Sequence, residues 1–181
     1  MKNPVEHGDC NKILKAKVLP GLTFENYQRG LCILDPYGLH LHWDIIEMLG
    51  KSRAVELFLN LPIMDMNRNA LWRNPTHVTP DNIARMNAFW GDSSWRSVAY
   101  EKELTLFGYD EVKADNETVA RAFAHRLKKV AGFTHVAYIP MKNTSNAVIY
   151  YLFHASHKPV AQNIVTDIFK KYDPYGHDVR H

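Results

Sequence analysis

The chain has 181 residues, of which 46% are hydrophobic, 12% aromatic and 23% charged. This composition is ordinary for a globular protein and excludes disorder, collagen-like repeats and a disulfide scaffold. The length fits one domain with its own core. Lys and Arg number 22 against 19 Asp and Glu, and the resulting net charge of +3 is too small to indicate nucleic-acid binding by itself.

The glycine and cysteine positions exclude two further classes of site. The closest glycines, Gly30 and Gly38, are eight positions apart, so no G-x-G-x-x-G or G-x-x-x-x-G-K phosphate loop occurs. Cys10 and Cys32 form no C-x-x-C pair, which favours a reduced, cytoplasmic protein. No signal sequence is evident, and the longest apolar run, 147–153, is far shorter than the ~20 residues of a membrane span. We therefore expect no membrane association.

The first third of the chain predicts a βαβ unit. Residues 5–10 resemble a strand end and 11–18 a helix. The apolar run 31–34 then predicts a buried strand, followed by a helix with Gly50 at its C-cap and by a strand over 55–61. Two strands joined by a helix are nearly always parallel and connected by a right-handed crossover.

The remainder predicts helices and then a hairpin. A helical insertion is expected around residues 76–131, because Thr79 is a favourable N-cap and Asn116 begins a strongly amphipathic pattern. Two apolar runs, 136–139 and 147–153, flank a polar turn and predict an antiparallel hairpin, followed by a helix from Pro159. We expect one α/β domain whose open sheet ends in a reversed edge strand.

Asp35-Pro36-Tyr37 is the first candidate site, because it follows the carboxyl end of a buried strand, where ligands bind in open α/β sheets. The Asp35 carboxylate and the Pro36 carbonyl oxygen can accept hydrogen bonds from an amino group, and Tyr37 can stack on a planar base. The alternative is that the segment is simply a favourable turn.

A second candidate site follows the next strand and lies at the same sheet edge if the two strands are parallel. The segment 64–69, followed by Trp72 and Arg73, mixes Asn, Arg, Met and Trp residues, which suits a polar ligand with a planar part. Within it, Asp65, Asn67, Arg68 and Arg73 are the candidate substrate-binding residues. A capped surface loop is the alternative interpretation.

Two histidine pairs, His40-x-His42 and His154-x-x-His157, have spacings seen in metal sites. Neither pair has an evident third ligand, which zinc and iron sites usually require. We therefore predict no metal site.

Five segments together resemble a known family. Residues 34–39, 60–62, 64–69 and 148–156, and Gly8-Asp9-Cys10-Asn11 near the start, are similar to the three-Cys-motif partner family (TcmP). The resemblance runs over most of the chain. Members of this family look like class I S-adenosylmethionine-dependent methyltransferases, and they are encoded beside a three-cysteine, radical-enzyme-like partner protein.

The resemblance implies roles for several residues. Asp9 and Cys10 would lie near the adenine of S-adenosylmethionine. Asp35-Pro36-Tyr37 would be the catalytic segment, a shortened counterpart of the Asp-Pro-Pro-Tyr motif that holds a base amine at the methyl donor. Family members usually begin with a Gly-rich first strand and cofactor loop, and this chain does not contain them.

We therefore expect a Rossmann-like, methyltransferase-type open sheet that lacks its first βαβ unit, as an incomplete single domain over 1–181. It would be inactive alone and act with another chain, and we expect a homodimer because the absent strands leave a sheet edge to be paired. Two alternatives stay open. One is an S-adenosylmethionine-dependent amino-methyltransferase acting on a nucleic-acid base, and the other is a non-catalytic module that binds a protein or nucleic acid through Arg68–Arg73.

Overall fold

The computed structural model describes residues 5–25, 27–105 and 108–172. These residues form a mixed α/β structure with a four-stranded sheet and a separate two-stranded hairpin. The strands are β1 (Gly30–Leu34), β2 (Val55–Leu61), β3 (Tyr100–Thr105), β4 (Gly108–Lys113), β5 (His135–Lys142) and β6 (Val148–Ser156). The α-helices are α1 (Cys10–Ile13), α2 (Trp43–Ser52), α3 (Ile63–Asn69), α4 (Pro80–Trp90), α5 (Trp95–Ala99), α6 (Asn116–Lys129) and α7 (Pro159–Tyr172). None of the helices described is long and apolar enough to cross a membrane.

The main sheet has the strand order β1-β2-β6-β5. β1 and β2 are parallel, as the βαβ pattern predicts, and β5 and β6 form the predicted antiparallel hairpin. The prediction that the reversed strand lies at the edge of the sheet is wrong. The reversed strand is β6, and it lies between β2 and β5. The carboxyl-terminal half of β6 is buried on both faces. Because β6 lies between two strands, its backbone N–H and C=O groups find hydrogen-bond partners on both sides.

The structure corrects the prediction for residues 5–10. This segment contains no strand, because the Asp9 carboxylate accepts a hydrogen bond from the Asn11 N–H and caps α1 instead. After α1 the chain continues through a π-helical turn, Leu14–Val18, and a 3-10 turn, Leu19–Gly21.

The predicted helical insertion contains α4, α5 and α6 but is interrupted by the β3–β4 hairpin. The side chains described in β4 are mostly exposed, so this hairpin lacks the buried apolar stripe that makes a strand recognisable in a sequence. Gly50 lies within α2 rather than at its C-cap, and Arg53 takes the left-handed cap position. A side chain at Gly50 would overlap the carbonyl oxygen of Ala131, which explains the glycine.

The two faces of the sheet are covered unequally. The first, which we call the core face, packs against α2 and α6, and α4 packs in turn against α2. Phe123 is the centre of an aromatic cluster there, with ring centroids 5.4–5.9 Å from those of Trp43, Phe89, Trp90 and Phe153. The opposite side, which we call the second face, is covered by α7 over β5 and β6.

The part of the second face that belongs to β1 is open. Leu31 is 63% exposed and Ile33 is 71% exposed, whereas their neighbours Cys32 and Leu34 point to the core face and are half-buried. The prediction of a buried strand over 31–34 is therefore wrong for one of its two faces, because α7 covers β5 and β6 but not β1.

Candidate functional site

The loop after β1 holds the first predicted site. Asp35 is exposed, and its Oδ1 accepts a hydrogen bond of 2.7 Å from Nδ2 of Asn60 in β2. Tyr37 is 90% exposed, and its ring lies nearly parallel to that of His40, with the centroids 6.1 Å apart. The carboxylate is thus fixed to the sheet while the neighbouring aromatic ring is free to contact a ligand.

The second predicted site meets this loop at Asp65. Gly38 has a φ of +58°, and a Cβ there would lie 2.5 Å from Oδ2 of Asp65 in α3. A side chain at position 38 would displace the Asp65 carboxylate, and the positive φ also favours glycine there. Asp65 also accepts a hydrogen bond of 2.9 Å from Asn69. The parallel arrangement of β1 and β2 therefore brings Asp35 and Asp65 to the same edge of the sheet.

The side chain of Asn67 is held by two hydrogen bonds to neighbouring elements. Its Nδ2 donates to Oδ1 of Asn116 at 2.9 Å, and its Oδ1 accepts from Nζ of Lys113 at 2.6 Å. These bonds join α3 to the β3–β4 hairpin and to the start of α6. Burial, reinforced by the positive charge of Arg73, lowers the pKa of Lys113. Arg73 therefore lies near this cluster with its own side chain exposed.

Arg68 is exposed at the end of α3. Its carbonyl oxygen accepts a hydrogen bond of 2.7 Å from the indole N–H of Trp72, which caps the helix end. The guanidinium group itself is available to an anionic ligand. Of the four predicted substrate-binding residues, Arg68 and Arg73 are thus open to solvent, and Asn67 is held by its neighbours.

The Asp9 segment is connected to the Asp35 loop through a residue that the sequence-based prediction omitted from the site. Asn11 is buried, its Nδ2 donates to the His40 carbonyl oxygen at 2.9 Å, and its Oδ1 accepts from the His42 N–H at 2.9 Å. Donation from the Asn11 N–H lowers the pKa of the Asp9 carboxyl group. Cys10 is an exposed free thiol. Asn11 belongs to a segment of the family resemblance, but no local pattern indicates these hydrogen bonds, because their partners are about thirty residues away in the sequence.

His154 and His157 contact different parts of the structure. His154 lies in β6, 1% exposed, with its ring 4.9 Å from that of Phe58 and its Nε2 3.3 Å from Oε2 of Glu56. His157 contacts the Gly50 carbonyl oxygen through Nε2 at 2.8 Å. Among the residues that the structure describes, no group of three or more His, Cys, Asp or Glu side chains could hold a metal ion.

A small cleft of about 40 Å³ lies at the amino ends of β1 and β2. Arg29, Arg53, Glu56 and Lys158 contribute to its lining. This cleft is at the opposite end of the strands from Asp35, so it belongs to neither predicted site.

The exposed loop presents the groups that recognition of a planar amine would require. Asp35 and the Pro36 carbonyl oxygen are acceptors for its N–H groups, and Tyr37 offers a face for stacking. Comparisons with protein-family models, with curated proteins and with solved structures find no match to this chain.

Proposed function

We propose that this chain is a methyltransferase-like module that is inactive alone and works with another chain, which supplies the S-adenosylmethionine site. A parallel βαβ pair joined to an antiparallel hairpin is compatible with the part of a methyltransferase-type sheet that remains without its first βαβ unit. The absence of a Gly-rich phosphate loop from the sequence supports the need for a second chain. The family resemblance suggests a three-Cys-motif, radical-enzyme-like protein as a candidate for that chain.

The contribution of the chain itself is recognition of a base. The single observation that supports this is the placement of Asp35-Pro36-Tyr37 at the carboxyl end of β1, with the carboxylate held by Asn60 and the phenol ring 90% exposed. Asp35 would accept a hydrogen bond from an exocyclic amine, and Tyr37 would stack on the ring that bears it. Arg68 and Arg73 would add positive charge for the phosphates of the same nucleic acid.

Calorimetry with S-adenosylmethionine tests whether the chain needs a second chain. We expect no binding by this chain alone at millimolar cofactor. Micromolar binding would overturn this part of the proposal, and it would favour the alternative in which the chain is itself an amino-methyltransferase.

Binding to homopolymeric single strands tests the role of the loop. Oligo-dC has an exocyclic amine on each base and oligo-dT has none, so the intact chain should prefer oligo-dC. Tyr37→Ala should weaken binding to both, because stacking on an aromatic side chain contributes about 1–3 kcal/mol per base. Asp35→Ala should remove the preference for oligo-dC.

Tyr109→Ala is the matched control, since Tyr109 is 73% exposed in the β3–β4 hairpin, and it should leave both affinities unchanged. Equal binding to oligo-dC and oligo-dT that does not depend on Tyr37 would contradict base recognition. If such binding weakened steeply with salt, it would favour the non-catalytic nucleic-acid module instead.

A further inference from the structure

The outer edge of β1 has backbone groups without partners. The Gly30 N–H donates to the Ala54 carbonyl oxygen at 3.0 Å, so Gly30, Cys32 and Leu34 direct their backbone groups towards β2. In a strand the next residues point the other way, and the N–H and C=O groups of Leu31 and Ile33 therefore face outwards. Within the described part of the chain these groups make no hydrogen bond.

The same two residues expose their side chains on the second face, at 63% and 71%. Proteins usually protect a sheet edge with a charge, a proline or a covering element. β1 contains no charged residue and no proline between Gly30 and Leu34. The charges lie immediately outside it, with Arg29 before the strand and Asp35 after it.

We infer that β1 pairs in antiparallel fashion with β1 of a second copy of this chain, about a two-fold axis at Cys32. Leu31 then lies opposite the partner's Ile33, and Ile33 lies opposite the partner's Leu31. Each of these two pairs exchanges both N–H···O=C hydrogen bonds, which uses the outward-facing backbone groups of both strands. Two four-stranded sheets become one continuous sheet.

The charges specify this orientation. Arg29, Leu31, Ile33 and Asp35 occupy alternate positions, so they lie on one face in the order positive, apolar, apolar, negative. In the antiparallel register Arg29 lies opposite the partner's Asp35, and the apolar pairs lie between two such ion pairs. A parallel arrangement through the same edge would turn the second faces of the two copies to opposite sides of the joined sheet, so neither the apolar side chains nor the opposite charges would face each other.

Both charged groups are available for this contact. Arg29 is exposed, its guanidinium carbon lies 4.2 Å from the centre of the Phe24 ring, and its Nη1 donates to the Gln28 carbonyl oxygen at 2.8 Å, which leaves its other N–H groups for the partner. Oδ1 of Asp35 accepts from Asn60, and Oδ2 has two lone pairs, so it can accept from the partner's Arg29 and also from an amine of a bound base. A surface that is complementary to itself is the requirement for a two-fold dimer. The inference does not depend on the proposed function, and binding of S-adenosylmethionine or DNA would not decide it.

Cysteine cross-linking tests the register. Cys32 would face the partner's Cys32 in a pair without hydrogen bonds, where the Cα atoms are about 4.5 Å apart. This distance falls within the range that a disulfide spans. A Cys10→Ser variant, in which Cys32 is the sole cysteine, should form a disulfide-linked dimer with copper-phenanthroline as oxidant.

The matched control is Cys32→Ser, which leaves Cys10 as the sole cysteine. Burial raises the pKa of Cys32 to about 11, whereas Cys10 is exposed, so reactivity alone would favour cross-linking through Cys10. Faster dimer formation through Cys32 would therefore show that the two Cys32 residues are close together. The absence of a disulfide-linked dimer in the Cys10→Ser variant, at concentrations where the chain is a dimer, would overturn the register.

A charge exchange tests the ion pairs by sedimentation velocity over a range of concentrations. The unmodified chain should be a dimer, and Arg29→Glu or Asp35→Arg should each raise the dissociation constant by at least about tenfold, or 1.4 kcal/mol. The double variant Arg29→Glu/Asp35→Arg restores opposite charges and should return to within about threefold of the unmodified chain. Arg121→Glu, an exposed substitution on α6, controls for net charge and should have no effect. A monomer at all concentrations, or no recovery in the double variant, would refute the inference.

Discussion

The two edge strands of the main sheet, β5 and β1, are both apolar, yet only β5 is buried. Its residues from Val136 to Ile139 are at most 5% exposed, because α6 lies against one face and α7 against the other. β1 has a cover on the core face only, and alternate residues remain in water. The difference shows that an apolar sequence makes a strand suitable for burial, while the helices packed on it decide how much of it is buried.

The largest loss of stability is predicted for a substitution that weakens the packing of α7 on β5. Phe169 of α7 is 3% exposed and packs in the cluster that contains Ala137 and Ile139. Phe169→Ala should lower the free energy of unfolding by about 3 kcal/mol, since it removes a buried aromatic ring. Urea denaturation measures this loss. The adjacent Ile168 is 43% exposed, and Ile168→Ala should cost far less, about 0.5 kcal/mol. Equal losses would mean that α7 does not anchor β5 as described.

A smaller, pH-dependent effect is expected at His154, on the boundary between the covered and open parts of the second face. Burial lowers the pKa of His154, and the carboxylate of Glu56 opposes this shift. The Nδ1 atom is also buried without a partner in the described residues. The folded chain therefore binds a proton here less readily than the unfolded chain does.

The free energy of unfolding should consequently fall as the pH drops below about 6.5, by up to about 1.4 kcal/mol per pH unit from this group. Urea denaturation between pH 5 and 7.5 measures the slope. His154→Asn should reduce it, whereas His125→Asn, at an exposed position on α6, should leave it unchanged. An unchanged slope in His154→Asn would contradict the pKa shift.

The smallest effect is expected at the open face of β1. Leu31→Ala should change the stability of the monomer by no more than about 0.5 kcal/mol, because the side chain is already 63% exposed. The matched substitution Leu57→Ala, at 1% exposure in the neighbouring strand, should cost about 3 kcal/mol. Denaturation must be followed at concentrations where the chain is monomeric. A large loss in Leu31→Ala under those conditions would indicate a cover on this face within one chain.

Much of the secondary structure follows from patterns within ten or fifteen residues. The bounds of β2 are those predicted, because an apolar run ends at Pro62, and α6 begins where Asp115 caps it. The β3–β4 hairpin could not be predicted in this way, since exposed strands bury no periodic stripe. The internal position of β6 depends on which neighbours satisfy its backbone and bury its side chains, which a local pattern does not contain.

The candidate site likewise has some features that local sequence patterns predict and others that depend on distant contacts. Parallel strands bring Asp35 and Asp65 to one edge, and this follows from the βαβ pattern alone. The βαβ pattern does not predict the hydrogen bonds of Asn67 to Asn116 and Lys113. These partners are more than forty residues away in the sequence, and their positions depend on how α6 and the β3–β4 hairpin pack.

Asn11 has a consequence for how strongly the loop after β1 can bind. By bonding to both His40 and His42, its side chain closes a segment of about thirty residues that contains β1 and the Asp35 loop. A loop held at such a closure has fewer conformations to lose when a ligand orders it, so its binding entropy is less unfavourable. Asn11 would thus raise the affinity of the loop for a ligand that Asn11 itself does not contact.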